Sequence, residues 1–159
     1  MNKICKNRGF TLIELLIVIA IIAALAVTVL AALNPAKRLS DSRDSRRTSD
    51  VDTILTSIHE YIVDNKGTLP TGLSSGMVET QLGTAVTGCA IATGGCSVVG
   101  TATCVDLTTP LAKYLKSLPI DPKAGTAGLT NYSVTVDTNN IVTIKACGTE
   151  GSSNISASR

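Results

Sequence analysis

Residues 9–33 read GFTLIELLIVIAIIAALAVTVLAAL, and they decide how the rest of the chain is organised. Within them Leu15 to Leu33 is a charge-free run of 19 residues. As a helix it covers about 28 Å, close to the thickness of a bilayer's hydrocarbon core, so it is long enough to span a membrane. One ionisable side chain, Glu14, stands at its edge. An unpaired charge in hydrocarbon costs roughly 2.5 kcal/mol or more, and a helix that only anchors has no use for one. Glu14 therefore calls for a partner.

The preceding residues suggest which. Lys3, Lys6 and Arg8 form a short basic leader with no acid in it, which by the positive-inside rule puts Met1 in the cytoplasm. GFTLIE behind such a leader resembles the processing signature of type IV prepilins and of the pseudopilins of type II secretion. The resemblance implies that a membrane-embedded peptidase cuts after Gly9 and methylates the new N-terminus at Phe10. It also implies that Glu14 pairs with the N-terminal ammonium of a neighbouring subunit as the helices bundle into a filament. The charges agree: a cut between Gly9 and Phe10 creates an amine one helical turn from Glu14, where each charge is costly alone and tolerable together. Two plainer readings compete. Ala24-Leu25-Ala26 offers the small-x-small site of a secretory signal peptide, although Glu14 would then interrupt its most apolar part. A simple signal anchor explains the hydrophobic length but leaves the order Gly9, Phe10, Glu14 to coincidence.

At 159 residues the chain has room for one ordinary domain beside this helix. Loss of residues 1–9 would remove Lys3, Lys6 and Arg8, leaving 11 of the 14 basic residues against 12 acidic ones. A near-neutral mature chain gives no general reason to bind nucleic acid. The same cut removes Cys5 and leaves Cys89, Cys96, Cys104 and Cys147. In an exported domain four cysteines read as two disulfides with three possible connectivities; the alternative is free or metal-binding cysteines, though the spacings match no CxxC zinc site. A local Cys89–Cys96 loop with a Cys104–Cys147 tie is the pairing favoured.

Asn34-Pro35 ends the apolar run either as a kink or as an N-cap followed by a first-position proline. Beyond it Val51, Ile54, Leu55, Ile58 and Ile62 make a stripe on one face of an amphipathic helix, and Asn65-Lys66-Gly67 supplies its stop. If continuous, residues 10–65 make a helix about 84 Å long whose first half projects from a head. Residues 36–52 are dense in charge, with Lys37 and Asp41, and Arg46 and Asp50, spaced to pair along one face. That segment reads as a solvated surface, as a lipid-headgroup contact or as a contact between subunits. Thr68 to Thr109 reads as a long connecting region. Thr109-Pro110 opens a short helix carrying Leu111, Tyr114, Leu115 and Leu118, closed by Pro119 and Pro122. Tyr132 to Val136 and Ile141 to Cys147 alternate as the two strands of a hairpin. LPIDPK (118–123) followed by a tyrosine-led hairpin also resembles the major pseudopilins and some pilins.

The expectation is an α+β, pilin-like chain: leader 1–9, apolar membrane and filament helix 10–33, amphipathic continuation 34–66, head 67–147 with an antiparallel hairpin or sheet, and a flexible tail 148–159. No enzyme parts are visible. The lone His59 has no nucleophile beside it, and neither a phosphate-binding glycine loop nor a zinc spacing occurs. No cofactor is expected; Asp121, Asp137, Asn139 and Asn140 offer calcium its oxygens, as head loops of some pseudopilins do, although turn chemistry explains them equally. The resemblance implies as partners the chain itself as a homopolymer, a prepilin peptidase, an inner-membrane assembly platform and, before assembly, the bilayer. It implies a single-pass precursor in a bacterial inner membrane and a periplasmic or extracellular filament afterwards. Two alternatives stand beside a pilus subunit: a major pseudopilin of a secretion or DNA-uptake system, and a monomeric membrane-anchored binding domain.

Overall fold

The computed structural model describes residues 9–100, 103–151 and 154–159. The leader residues Lys3, Cys5, Lys6 and Arg8 lie outside the described residues. The chain divides into two compact units, 1–39 and 40–159.

The expected long helix runs from Leu12 to Asp64 with one interruption: α1 is Leu12–Leu33 and α2 is Pro35–Asp64. Asn34 stands between them in the left-handed conformation, φ 39°, one of the few non-glycine types that enter it readily. Of the two readings of Asn34-Pro35, the N-cap with a first-position proline is the one the hydrogen bonds support. Asn34 is the C-cap of α1, and its Oδ1 accepts from the Lys37 amide at 3.4 Å at the start of α2, where Pro35 takes the first helical position. The stop is where the sequence places it: Gly67, at φ 88°, donates its amide to the Ile62 carbonyl at 2.8 Å.

The second unit packs α2 from Ser40 onward with a four-stranded antiparallel sheet, β1 Met77–Gln81, β2 Tyr132–Val136, β3 Val142–Ala146 and β4 Ile155–Ser158, in the order β1-β2-β3-β4. The α2 stripe Val51, Ile54, Leu55 and Ile58 is buried in one apolar cluster with Tyr132, Val134 and Val136 of β2 and Val142, Ile144 and Ala146 of β3. The hairpin register pairs Val134 with Ile144, which sends both inward and the alternating Thr135 and Thr143 to the other face.

Four expectations need correction. The connecting region 68–109 contains the edge strand β1, and residues 155–158 of the expected tail form the opposite edge, β4, with Ile144 paired to Ala157. Residues 108–114 form consecutive turns rather than a helix, anchored by buried Leu107 and Leu111, with the Leu115 amide bonded to the Leu111 carbonyl. So short a segment between two prolines has too few residues to repay helix nucleation. The disulfides are Cys89–Cys104 and Cys96–Cys147, not the favoured local pairing. A tight hairpin at 91–98, closed by reciprocal Ile91 and Val98 backbone bonds, explains this: it puts Cys96 in the turn and Cys89 outside the bridge, so the two do not face each other. The Cys104 amide instead bonds to the Ala85 carbonyl, beside Cys89, and the turn carrying Cys96 rests on Cys147.

Part of the charge-dense segment turns inward, at Arg43, Asp44, Arg47 and Asp50, while Lys37, Arg38, Asp41, Arg46 and Asp52 stay exposed. Arg47 is fully buried in the second unit, with Nε 2.5 Å and Nη2 3.1 Å from the Asp121 carboxylate, Nη1 2.8 Å from Asp44 and Nη2 3.5 Å from Glu150. Arg43 closes a bidentate pair on Glu150 at 2.6 and 2.9 Å, and Lys123 adds a third cation at 3.4 Å. Burial alone would raise the Asp121 carboxyl, but Arg47 and the Lys123 and Ala124 amides outweigh it and hold it below the usual carboxylate range. Asp44 is lowered on the same pattern, its burial offset by the Glu150 and Gly151 amides and by Arg47. Asp50 accepts from the Tyr132 hydroxyl at 2.8 Å; burial and that carboxylate together push the phenol up. Of the helix-surface pairs expected, Arg46 and Asp50 approach to 3.8 Å.

Candidate processing and assembly site

The sequence makes the first turn of α1 an unusually complete helix start. Thr11 is an N-cap in extended backbone conformation, and its hydroxyl oxygen accepts from the Glu14 amide at 3.3 Å. In return one Glu14 carboxylate oxygen accepts from the Thr11 amide at 2.9 Å and from the Thr11 hydroxyl at 2.8 Å. This reciprocal capping box satisfies two backbone donors that a helix N-terminus otherwise leaves bare and sets a negative charge at the positive end of the helix dipole. Within the described single chain the Glu14 carboxylate therefore finds its partners three residues upstream. Gly9 and Phe10 precede the cap and are exposed, Phe10 at 80% of its full surface.

A Cβ placed on Gly9 would meet nothing within 4 Å, and Gly9 is not among the positive-φ glycines. The fold itself thus gives no reason for glycine at this position. Behind the cap, no residue of α1 is buried. Isoleucine, leucine, valine and alanine cover its whole circumference, and at 22 residues it is about 33 Å long. It is the one helix among the described residues long and apolar enough to cross a membrane. A helix apolar all round is at home in lipid or against other helices, and water is the wrong solvent for it.

Gly9, Phe10 and Glu14 are thus consecutive features of one surface. The other candidates lie elsewhere. Cys89, Cys96, Cys104 and Cys147 cross-link the second unit. Asp121 is taken up by Arg47, and Asp137 accepts from the Asn139 and Ile141 amides at 2.8 and 2.7 Å in the β2–β3 turn, so both carboxylates have partners within the chain. Among the described residues no group of three or more His, Cys, Asp or Glu side chains is placed to hold a metal ion. His59 is partly buried on α2, with its Nε2 unpartnered among the described atoms.

Sequence reasoning passed over Thr11 and Arg47. Thr11-Leu12-Ile13-Glu14 is the T-x-x-E pattern of a capping box before an apolar run, and it was there to be read. Arg47 lies four residues before Val51, on the line of the apolar stripe, so its burial had a signal in helical spacing even though its partners did not.

Residues 4–30 match the family model of the prokaryotic N-terminal methylation motif, the signature of type IV pilins and pseudopilins. No curated protein and no solved structure matches the chain. That signature marks structural subunits made as membrane-anchored precursors, and the α+β architecture, the apolar N-terminal helix and the two disulfides are consistent with it.

Proposed function

We propose that this chain is the structural subunit of a type IV pilus-like helical filament, made as a membrane-anchored prepilin, cleaved after Gly9 by a prepilin peptidase and polymerised through residues 10–33. The observation that carries the reading is α1 itself, apolar on every side and with no buried residue, most of it lying within the methylation-motif match at residues 4–30. Such a helix has two suitable surroundings, and the function consists in passing from one to the other. In the bilayer its side chains meet lipid. In the filament they meet the same helix from other copies, with Ala20, Ala23, Ala24, Ala26, Ala31 and Ala32 allowing close approach of backbones.

Gly9 fits this role, since its lack of a side chain serves no local conformation and is free to be read by a protease. Glu14 fits it as well. Before cleavage the Thr11 amide and hydroxyl satisfy its carboxylate. Cleavage turns the Phe10 nitrogen into an ammonium, and a neighbouring copy's ammonium is then the partner that Glu14 gains on leaving lipid.

Mass spectrometry of the N-terminus of membrane-extracted protein tests the first step. An N-methylated Phe10 is expected; an N-terminus at Val27 would identify a signal peptide, and an intact Met1 a simple anchor. Electron microscopy of sheared surface material tests the second, where long filaments are expected. Processed protein without surface filaments would move the assignment to a pseudopilin, and processed but monomeric protein to an anchored binding domain.

A further inference from the structure

We propose that the Cys96–Cys147 disulfide and the Arg47 ion cluster form one coupled clasp, in which closing the cross-link seats residues 147–151 and thereby places Glu150 on Arg43 and Arg47. Cys147, Gly148, Glu150 and Gly151 each meet a neighbour from elsewhere in the chain. At Cys147 the carbonyl accepts from the Thr93 hydroxyl at 2.7 Å and the amide donates to the Asn131 carbonyl at 2.9 Å. Gly94, at φ 59°, packs its backbone so closely on Cys147 that a Cβ there would collide with the Cys147 carbonyl. Gly148 in turn has no room for a side chain because the Asp121 carboxylate occupies that space. Glu150 then donates its amide to Asp44 and gives its carboxylate to Arg43, Arg47 and Lys123, and the Gly151 amide reaches Asp44 at 2.8 Å.

The cross-link is what keeps the first of these contacts in place. The excursion 84–104 carries Cys96 to Cys147, and among its described residues only Cys89, Cys96 and Val98 are buried. It buries too little apolar surface to hold its own conformation, so its seat on Cys147 depends on the covalent link. Closure joins the Cys96 and Cys147 sulfurs as two thiols give up two protons and two electrons to an external disulfide oxidant, which leaves as its dithiol. The two ends of the clasp then support each other: oxidation favours the ion cluster, and by linkage the ion cluster favours the oxidised pair to the same degree.

That reciprocity supplies the test. The full chain in detergent micelles, as parent and as Glu150→Gln, is equilibrated in glutathione buffers of graded potential, and each disulfide is quantified by peptide mass spectrometry. The expected result is that Glu150→Gln shifts the Cys96–Cys147 equilibrium toward the reduced form by roughly fivefold or more while Cys89–Cys104 is unmoved. An unchanged equilibrium, or an equal shift in both disulfides, overturns the proposal. In the reverse direction, Cys96→Ser with Cys147→Ser is expected to speed hydrogen exchange at the Glu150 and Gly151 amides while Val134 and Ile144 stay protected. Unaltered exchange at 150 and 151 counts against coupling, as does uniform loss across the sheet. If that double variant fails to fold, the glutathione measurement decides alone.

Discussion

Arg47→Met removes a buried guanidinium while keeping most of its aliphatic volume, and the structure fixes what is lost. Four contacts to three carboxylates disappear, and they join separate parts of the chain: Asp44 on α2, Asp121 before β2, and Glu150 between β3 and β4. Asp121, with a side chain 1% exposed, then keeps only the Lys123 and Ala124 amides. Removing one partner of a buried ion pair costs about 3–5 kcal/mol, because the charge left behind is neither hydrated nor paired. For a unit of this size each kcal/mol moves the midpoint by several degrees, so a fall of roughly 10–20 °C is expected. The assay is thermal unfolding of the full chain in detergent, followed by the near-UV circular dichroism of its three tyrosines, all of which lie beyond residue 60. The loss also has a pH signature. In the parent the carboxylates are held below their ordinary range, whereas in the variant they take up protons more readily, so the gap between the two proteins narrows in acid. A variant melting within about 2 °C of the parent at neutral pH refutes the reasoning.

Further expectations concern acid, assembly, processing and the core. Asp44, Asp121 and Glu150 all have depressed folded-state values, so the unfolded chain binds protons first as the pH falls; midpoints should be level near neutrality and drop below about pH 4, and stability rising into that range would contradict the cluster. Glu14→Ala should leave membrane insertion and cleavage intact and abolish or impair filaments; wild-type filament yield on electron micrographs would sink the assembly role. Gly9→Val should accumulate uncleaved precursor, visible as unshifted mass, although the fold has room for the side chain. Ile54→Ala, at a fully buried position in the middle of the stripe, should cost about 2–5 kcal/mol by denaturant titration, and a loss under about 0.5 kcal/mol would mean that α2 does not pack as described.

The parts of this fold that were legible in the sequence share one property: their signal lies within a few residues. The α1 run, the stripe from Val51 to Ile58, the Asn65–Gly67 stop and the hairpin of β2 and β3 follow from periodicity and local chemistry. The edge strands do not. MVETQ carries no clean alternation and ISAS is small and largely polar; each is a strand because β2 or β3 offers it a row of backbone partners. The same limit governs the cross-links and the ion cluster. Cys96 is nearer in sequence to Cys89 than to Cys147, and Arg47 finds Asp121 74 positions away, so both pairings depend on how the chain has already folded. At the N-terminal site all but one of the functional residues were readable, and the exception, Thr11, has a local signature too.

The buried guanidinium has a further consequence for the outside of the molecule. A stripe of short aliphatic side chains selects which face of a helix turns inward, yet it is a poor index of position along the axis, since a slip of one turn, 5.4 Å, presents nearly the same contour. Arg47, gripped from outside its own helix by two separated stretches of chain at Asp121 and Glu150, works as a key in a keyway and fixes both the rotation and the axial setting of α2. Its opposite face, with Ser45, Ser49, Asp52, Thr53 and Thr56 exposed, is thereby indexed to the rest of the unit. In the filament proposed above, screw symmetry would require every copy to offer its neighbours the same coordinates, and that uniformity would be set by a side chain no neighbour can touch.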